Sequence, residues 1–255
     1  MTVRPHRLGN TGRIIITAAI ALIALLYGSC QVGQEVHINK DGSGRVEFDI
    51  QLAPYFTEVA DQLQKIVPPE EGEEIAEGQN IFRVEQLRSD FAEKEEIQLE
   101  ELSSPNPQEL HGLFRFTSIE RALTREKKEL ESGELFSFSQ SGGVSTLRVL
   151  VNYETFDALL DANPSFNTPL MENFGPPANR GLSEKEYLDM MEYALGKESR
   201  RGIKESVLKL SVEVDGTITS HEGGTLESDR RVVFRVPLLD ILILDEAVEL
   251  AVSFK

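Results

Sequence analysis

Four histidines, one cysteine and 43 carboxylates are the side chains of this chain that could carry acid–base, metal or nucleophilic chemistry. Cys30 is the sole cysteine, so neither an internal disulfide nor a cysteine metal cluster is available to it. His37 stands between Val36 and Ile38, on the polar side if that stretch is a strand; His111 lies at a strand start beside Gly112; His221 reads as a loop residue in "TSHEGGT". No two of them share the i, i+4 spacing of a helical metal pair. The adjacent His221 and Glu222 would point to opposite faces of an extended chain. "DGSG" at 41–44 resembles the start of a calcium loop or a phosphate cradle, but the further acidic ligands of the one and the lysine of the other are missing. There is no G-x-S-x-G elbow. Paired carboxylates decide nothing where acids are so many, and without tryptophan the aromatic platforms of a sugar-cleaving cleft are lacking. The expectation is of no catalytic residue, no metal and no cofactor. The one residue placed for a chemical event is Cys30.

Its surroundings say what event. Arg4, Arg7 and Arg13 form a basic start with no acid before the cysteine, and Ile14 to Leu26 is an apolar run of 13 residues. Tyr27, Gly28 and Ser29 then lead into Cys30. A basic flank, a short apolar segment and a small-residue zone make an export signal. The run is short against the roughly 20 residues of a permanent span. The stretch resembles the lipobox of bacterial lipoproteins, in which a lipid joins the cysteine sulfur and cleavage leaves that cysteine first. Gly28 and Ser29 fit its small positions, while Tyr27 stands where leucine is usual. Two alternatives stay open: ordinary signal-peptidase cleavage after Cys30, with Gly28 at the far small position, and an uncleaved signal anchor. The lipobox reading implies a diacylglyceryl or palmitoyl-type attachment at Cys30 and residence in the cell envelope, on the extracytoplasmic side of a membrane.

Removing residues 1–29 takes away three arginines and no acid, leaving 226 residues and moving the formal charge from −17 to −20. Such an acidic body excludes nucleic acid as a partner, because phosphates need Lys and Arg. It is also repelled by anionic headgroups, so membrane residence has to come from the anchor. No second long apolar run follows, and no transmembrane tail is expected at Lys255.

The elements that would position anything are mostly strands. In "EVHINKDGSGRVEFDIQL", Val46, Phe48, Ile50 and Leu52 alternate with charged or polar residues, Val36 and Ile38 repeat the pattern upstream, and "NKDGSG" supplies a hairpin turn with Gly42 or Gly44 at positive φ. Helices are expected after Pro54, through Phe56, Val59, Ala60, Leu63 and Ile66, and again over Ile81 to Lys94. The acidic segment 68–80 reads as a flexible, solvated loop. Strands follow at Ile97–Leu102 and Leu113–Thr117. After a charged helix or turn over Ser118–Ser132, Leu135–Ser139 and Leu147–Tyr153 flank a further hairpin turn, "SQSGGVS". A short helix and a proline-broken loop come next. "LSEKEYLDMMEYALGK" is the strongest helix: Ser183 and Glu186 form a capping box, Tyr187, Met190, Met191, Ala194 and Leu195 the buried stripe, and Gly196 the exit. The last fifty residues offer strands at 208–214, 232–236 and 248–254, with a helical turn beginning at Pro237.

The expected class is α+β: a largely antiparallel sheet built from hairpins, with amphipathic helices packed on one face. The chain divides into a signal peptide, 1–29, and an extracytoplasmic domain, 30–255, with two subdomains left open. The "VHINKDGSGRVEFDI" opening after the cysteine, and the closing "VLKLSVEVDGTITSHEG" followed by "RVVFRVPL", are similar to LppM-like bacterial lipoproteins. That resemblance implies an envelope lipoprotein domain and brings no catalytic residue with it. Two functions fit: a membrane-anchored interaction or assembly module with an envelope protein partner, or a binding module enclosing a lipid or other small apolar ligand.

Overall fold

The alternation of Val46, Phe48 and Ile50 with charged neighbours is realised as a strand whose residues are buried and exposed in strict turn. A computed structural model describes residues 31–52, 82, 84–92, 96–119, 121, 135–162 and 174–255. Among these are eleven strands and five α-helices, an α+β fold with mostly antiparallel pairing. The helix expected after Pro54, the acidic loop 68–80, the signal segment and nearly all of Ser118–Ser132 lie outside the described residues. No described helix is long and apolar enough to cross a membrane.

Strand β1 (Gln31–Ile38) and β2 (Gly44–Gln51) form the expected hairpin. The two turn glycines do different work. Gly42 takes φ 81°, the left-handed conformation that a tight return needs. Gly44 instead lies where a Cβ would meet the His37 carbonyl and the Phe116 ring within 3.0 Å. Asp41 accepts a hydrogen bond from the Ser43 backbone N–H at 3.0 Å and closes the turn. Helix α1 (Val84–Ala92) follows, inside the predicted Ile81–Lys94, whose outermost residues lie outside the described ones but for Phe82. Next come β3 (Ile97–Ser103) and β4 (Glu109–Phe116); β4 begins four residues before the predicted Leu113. A bulge at Glu100 shifts the phase of β3, so Leu99 and Leu102, three apart, both turn to the core.

Strands β5 (Phe136–Ser141) and β6 (Val144–Val151) close on a two-residue turn, Gly142-Gly143, both at positive φ. Two successive left-handed residues match the right-handed strand twist. After α2 (Tyr153–Ala162) and a single 3-10 turn (Pro176–Asn179) comes α3 (Glu184–Leu195), with its capping box complete. The Glu186 N–H donates to Ser183 Oγ at 3.3 Å, and the Ser183 N–H donates to Glu186 Oε2 at 2.9 Å. Its buried face differs in detail from the predicted stripe. Tyr187, Leu188 and Met191 are buried, Met190 and Leu195 are half-buried, and Ala194 is exposed. Leu188 is buried where Ala194 was expected to be, and Leu195 carries the face into the last turn against the core.

Ser183→Ala is expected to cost about 1 kcal/mol, the usual worth of an N-cap, read as a lowered urea midpoint. The Ser183 hydroxyl and backbone N–H, donating to Glu186, hold that carboxyl below the ordinary glutamate value. A depressed folded-state value stabilises above the unfolded value and is lost as pH falls through the folded one. The difference between the two proteins should therefore shrink as the pH drops below the glutamate range.

Gly196, at φ 88°, ends α3 as predicted, but a further helix, α4 (Lys197–Glu205), starts at once. Its sequence, KESRRGIKE, offers only Ile203 as a large apolar residue, which is why periodicity missed it. Ser199 Oγ donates to the Met191 carbonyl at 3.0 Å and pins the two helices together. Strands β7 (Val207–Val214), β8 (Ile218–Glu222), β9 (Gly224–Ser228) and β10 (Arg231–Pro237), helix α5 (Leu238–Ile243) and β11 (Val248–Phe254) complete the chain. Pro237 is the N-cap of α5, and Leu244, just after it, takes the left-handed φ of 50° while 3% exposed. Neither β8 nor β9 was expected. His221 is therefore a strand residue on β8, not a loop residue, because "TSHEGGT" is extended on either side of a Gly223 turn at φ 75°.

The strands form two sheets rather than one. The first runs β3-β4-β2-β1-β7-β10-β9, the second β5-β6-β11-β8. All pairings are antiparallel except β1 with β7. One apolar core joins the inner faces of both sheets to the helices: Val46, Phe114 and Val212 from the first, Leu147 and Val252 from the second, Phe91, Tyr187 and Leu242 from helices. The outer face of the seven-stranded sheet is polar and mostly exposed, as an open antiparallel sheet permits.

Candidate functional site

Cys30 lies one residue before the described part of the chain. Its neighbour is placed: Gln31 is the first residue of β1, paired with Gln51 on one side and Val207 on the other. The cysteine is thus joined by a single peptide bond to the centre of the larger sheet.

Two of the three described histidines share the outer face of that sheet. His37 Nε2 is 3.6 Å from Asp215 Oδ1, a carboxylate also bound by Arg230 Nη2 at 2.8 Å. His111 Nδ1 contacts Asp49, and its Nε2 is 3.8 Å from Glu109. The register sets the two imidazoles two strands and four residues apart, roughly 16 Å by strand geometry, too far to share a ligand. His221 is in the other sheet. Among the described residues no three His, Cys, Asp or Glu side chains are grouped to hold a metal ion.

The register also creates a row that sequence order hides. Ser103, His111 and Asp49 lie directly across β3, β4 and β2 on one face. These are the residue types of a nucleophilic triad, and His111 is oriented by Asp49 as a base would be. However, the His111 and Asp49 side chains are 46% and 59% exposed, and His111 turns its other nitrogen towards Glu109. A triad works by a buried carboxylate and by free backbone N–H groups at the nucleophile. Here that carboxylate is more than half exposed.

A polar constellation joining three other strands to β10 centres on Arg231. Its guanidinium donates to Glu35 at 2.6 Å and lies 3.4 Å from Glu227 and 3.7 Å from Glu213. Glu35, then Glu227 and Glu213, hold it above its ordinary value, so it is a fixed cation. This side chain ties β1 to β10 across β7. With Glu35, Glu47, Asp49, Arg45 and Arg115 it makes the outer face a mosaic of both signs. Such a face presents a charge pattern rather than apolar area.

A second polar knot is structural. Asn179, wholly buried, donates through Nδ2 to the Phe174 carbonyl at 2.9 Å and the Leu242 carbonyl at 2.8 Å. Beside it the Arg180 guanidinium sits 4.5 Å over the Tyr153 ring and binds Asp157 at 2.5 Å. The Tyr153 hydroxyl donates to the Ile243 carbonyl, and burial, with Asp245 nearby, pushes its pKa up. These contacts lock the 3-10 turn onto α2 and α5.

No family model matches the chain, and no curated protein matches it. A solved structure similar to it is the folded domain of LppM from Mycobacterium tuberculosis, determined by NMR. The overlap covers 90% of this chain and 91% of that one, with a TM-score of 0.39 and 9% identity. At that identity no residue of one chain stands in for a residue of the other.

Proposed function

We propose that this chain is a bacterial envelope lipoprotein, held to a membrane by a lipid on Cys30, whose α+β body is a non-enzymatic interaction or assembly module. The observation that carries the reading is the order of the N-terminus: three arginines, an apolar run from Ile14 to Leu26, then Gly28 and Ser29 before the only cysteine. A single acyl chain holds a protein only marginally, whereas two give stable anchoring at about 0.8 kcal/mol per buried methylene. A diacylglyceryl cysteine supplies two, enough to keep an acidic body beside a surface that repels it.

The body supports the module half of the proposal by its solvated, ion-paired sheet face. Met191, which a ligand groove would have used, is packed into the core instead. This favours a surface-acting module over one that encloses an apolar ligand. Native mass spectrometry of the body separates the two: co-purified lipid supports enclosure, and an empty body crosslinking to one envelope protein supports the module. Labelling of Ser103 by a fluorophosphonate would replace both with a hydrolase.

The anchor is tested by Cys30→Ser. The parent protein should incorporate a fatty-acid analogue and show a mature N-terminus at Cys30 with the mass of a diacylglyceryl adduct. The variant should leave the membrane fraction or persist at precursor mass. An unmodified Cys30, or a mature chain that begins elsewhere, would refute the anchor.

A further inference from the structure

Resting on the lipid at Cys30, we infer that the end of the seven-stranded sheet at which β1 begins is a membrane-contacting surface, with the central strands standing away from the bilayer. Gln31 is already in the sheet, and consecutive Cα atoms are only about 3.8 Å apart. No linker separates the lipidated residue from paired backbone. The Gln31 backbone is held between Gln51 of β2 and Val207 of β7, and Val207 is in turn paired with Pro237 of β10. The row Gln51–Gln31–Val207–Pro237 therefore stays beside the headgroups unless β1 is pulled out of the sheet centre.

The two ends of the four strands β2, β1, β7 and β10 differ in what they carry. The membrane-side row of the four central strands carries no charge. It also holds Val207, one of three large apolar side chains exposed among the described residues, at 38%. At the opposite end lie Lys40 and Asp41 in the β1–β2 turn and Asp215, Asp229 and Arg230 in the turns joining β7 to β8 and β9 to β10. From Gln31 to Ile38 the strand spans about 23 Å at its usual rise per residue. The charged turns therefore stand more than two Debye lengths, of about 8–10 Å each, from the lipid. The body is thus held to the anionic surface at the end where these four strands are uncharged, with Glu109 of β4 and Lys204 and Glu205 before β7 flanking them. The polar outer face then rises from the membrane, open to a partner at its side.

The chain offers a clean way to read this, since Cys30 is the only native thiol and its sulfur would be consumed by the lipid. Val207→Cys, Gln51→Cys and Lys40→Cys are made separately in the full-length, lipidated protein and labelled with a polarity-sensitive maleimide fluorophore. Each is placed in vesicles of phosphatidylethanolamine and phosphatidylglycerol containing a headgroup spin-labelled lipid. Quenching at positions 51 and 207 should exceed that at position 40 at least threefold. A flexible Gly/Ser insertion between Cys30 and Gln31 should erase the difference while the protein stays on the vesicles. Equal quenching at all three positions, with the lipid on Cys30 confirmed by mass, overturns the orientation and leaves the lipoprotein reading standing. An unlipidated Cys30 removes both.

Discussion

Gly112→Val is expected to lower the stability of the body by about 3 kcal/mol, the upper range for overpacking a core. Gly112 sits opposite Phe48 in the β2–β4 ladder, and a Cβ there would meet three atoms of the Phe48 ring, all within 2.9 Å. That ring has nowhere to go. Phe48 is 4% exposed, its centroid lies 6.4 Å from that of Phe114, and Phe114 is in turn 5.7 Å from Phe91 of α1. The absent side chain is thus filled by the aromatic ring of the neighbouring strand. Urea unfolding followed by circular dichroism measures the loss, since the chain has no tryptophan to report by fluorescence. In a Phe48→Leu background the same valine should cost markedly less, a coupling expected only if the two residues compete for one volume. A valine tolerated without loss would mean that the β2–β4 register is different.

Met191→Asp is expected to destabilise by about 4 kcal/mol, whereas Met190→Asp should cost roughly 1–2 kcal/mol. The two residues are adjacent on α3 but turned by about 100°. Met191 is 6% exposed and packs with Tyr187 and Leu188, while Met190 is half-buried. An aspartate at 191 would lose its water without gaining a partner, so the loss should diminish at acid pH as that carboxyl protonates. A charge at 190 keeps part of its hydration. Thermal unfolding of the two variants, read against pH, checks this. Equal, small losses would turn the methionines into an exposed docking surface.

How much of this was legible before folding varies by element. The β1–β2 hairpin and α3 were readable because every cue lies within a few residues: alternating burial, turn glycines, a serine three residues before a glutamate. Helix α4 was not, since its buried face, Ser199, Gly202 and Ile203, holds only one large apolar residue; it is held by Ser199 on the Met191 carbonyl and by Ile203 in the core. Strands β8 and β9 were hidden for the same kind of reason. Each is five residues long and mostly exposed at an edge, so neither shows alternation. The Glu100 bulge broke the period of two inside β3. At the candidate site, the histidines and Cys30 were identified as isolated residues. The row Ser103–His111–Asp49 and the Arg231 cluster were invisible, because they join positions 49 to 111 and 35 to 231.

The sequence by itself determined the local elements with strong patterning, the α+β class, the acidic charge and the placing of the lone cysteine behind an apolar run. These properties depend on neighbours in the chain, where backbone preference and hydrophobic period act directly. Only the tertiary structure decided that the strands divide into two sheets and that β1 lies parallel to β7, about 170 residues away. It also decided that the strand attached to Cys30 is the middle of the larger sheet rather than its edge. Strand pairing is chosen by how well distant apolar faces fit when buried together. That fit is a property of the assembled core, in which Val36 finds Val46 on one side and Val212 on the other.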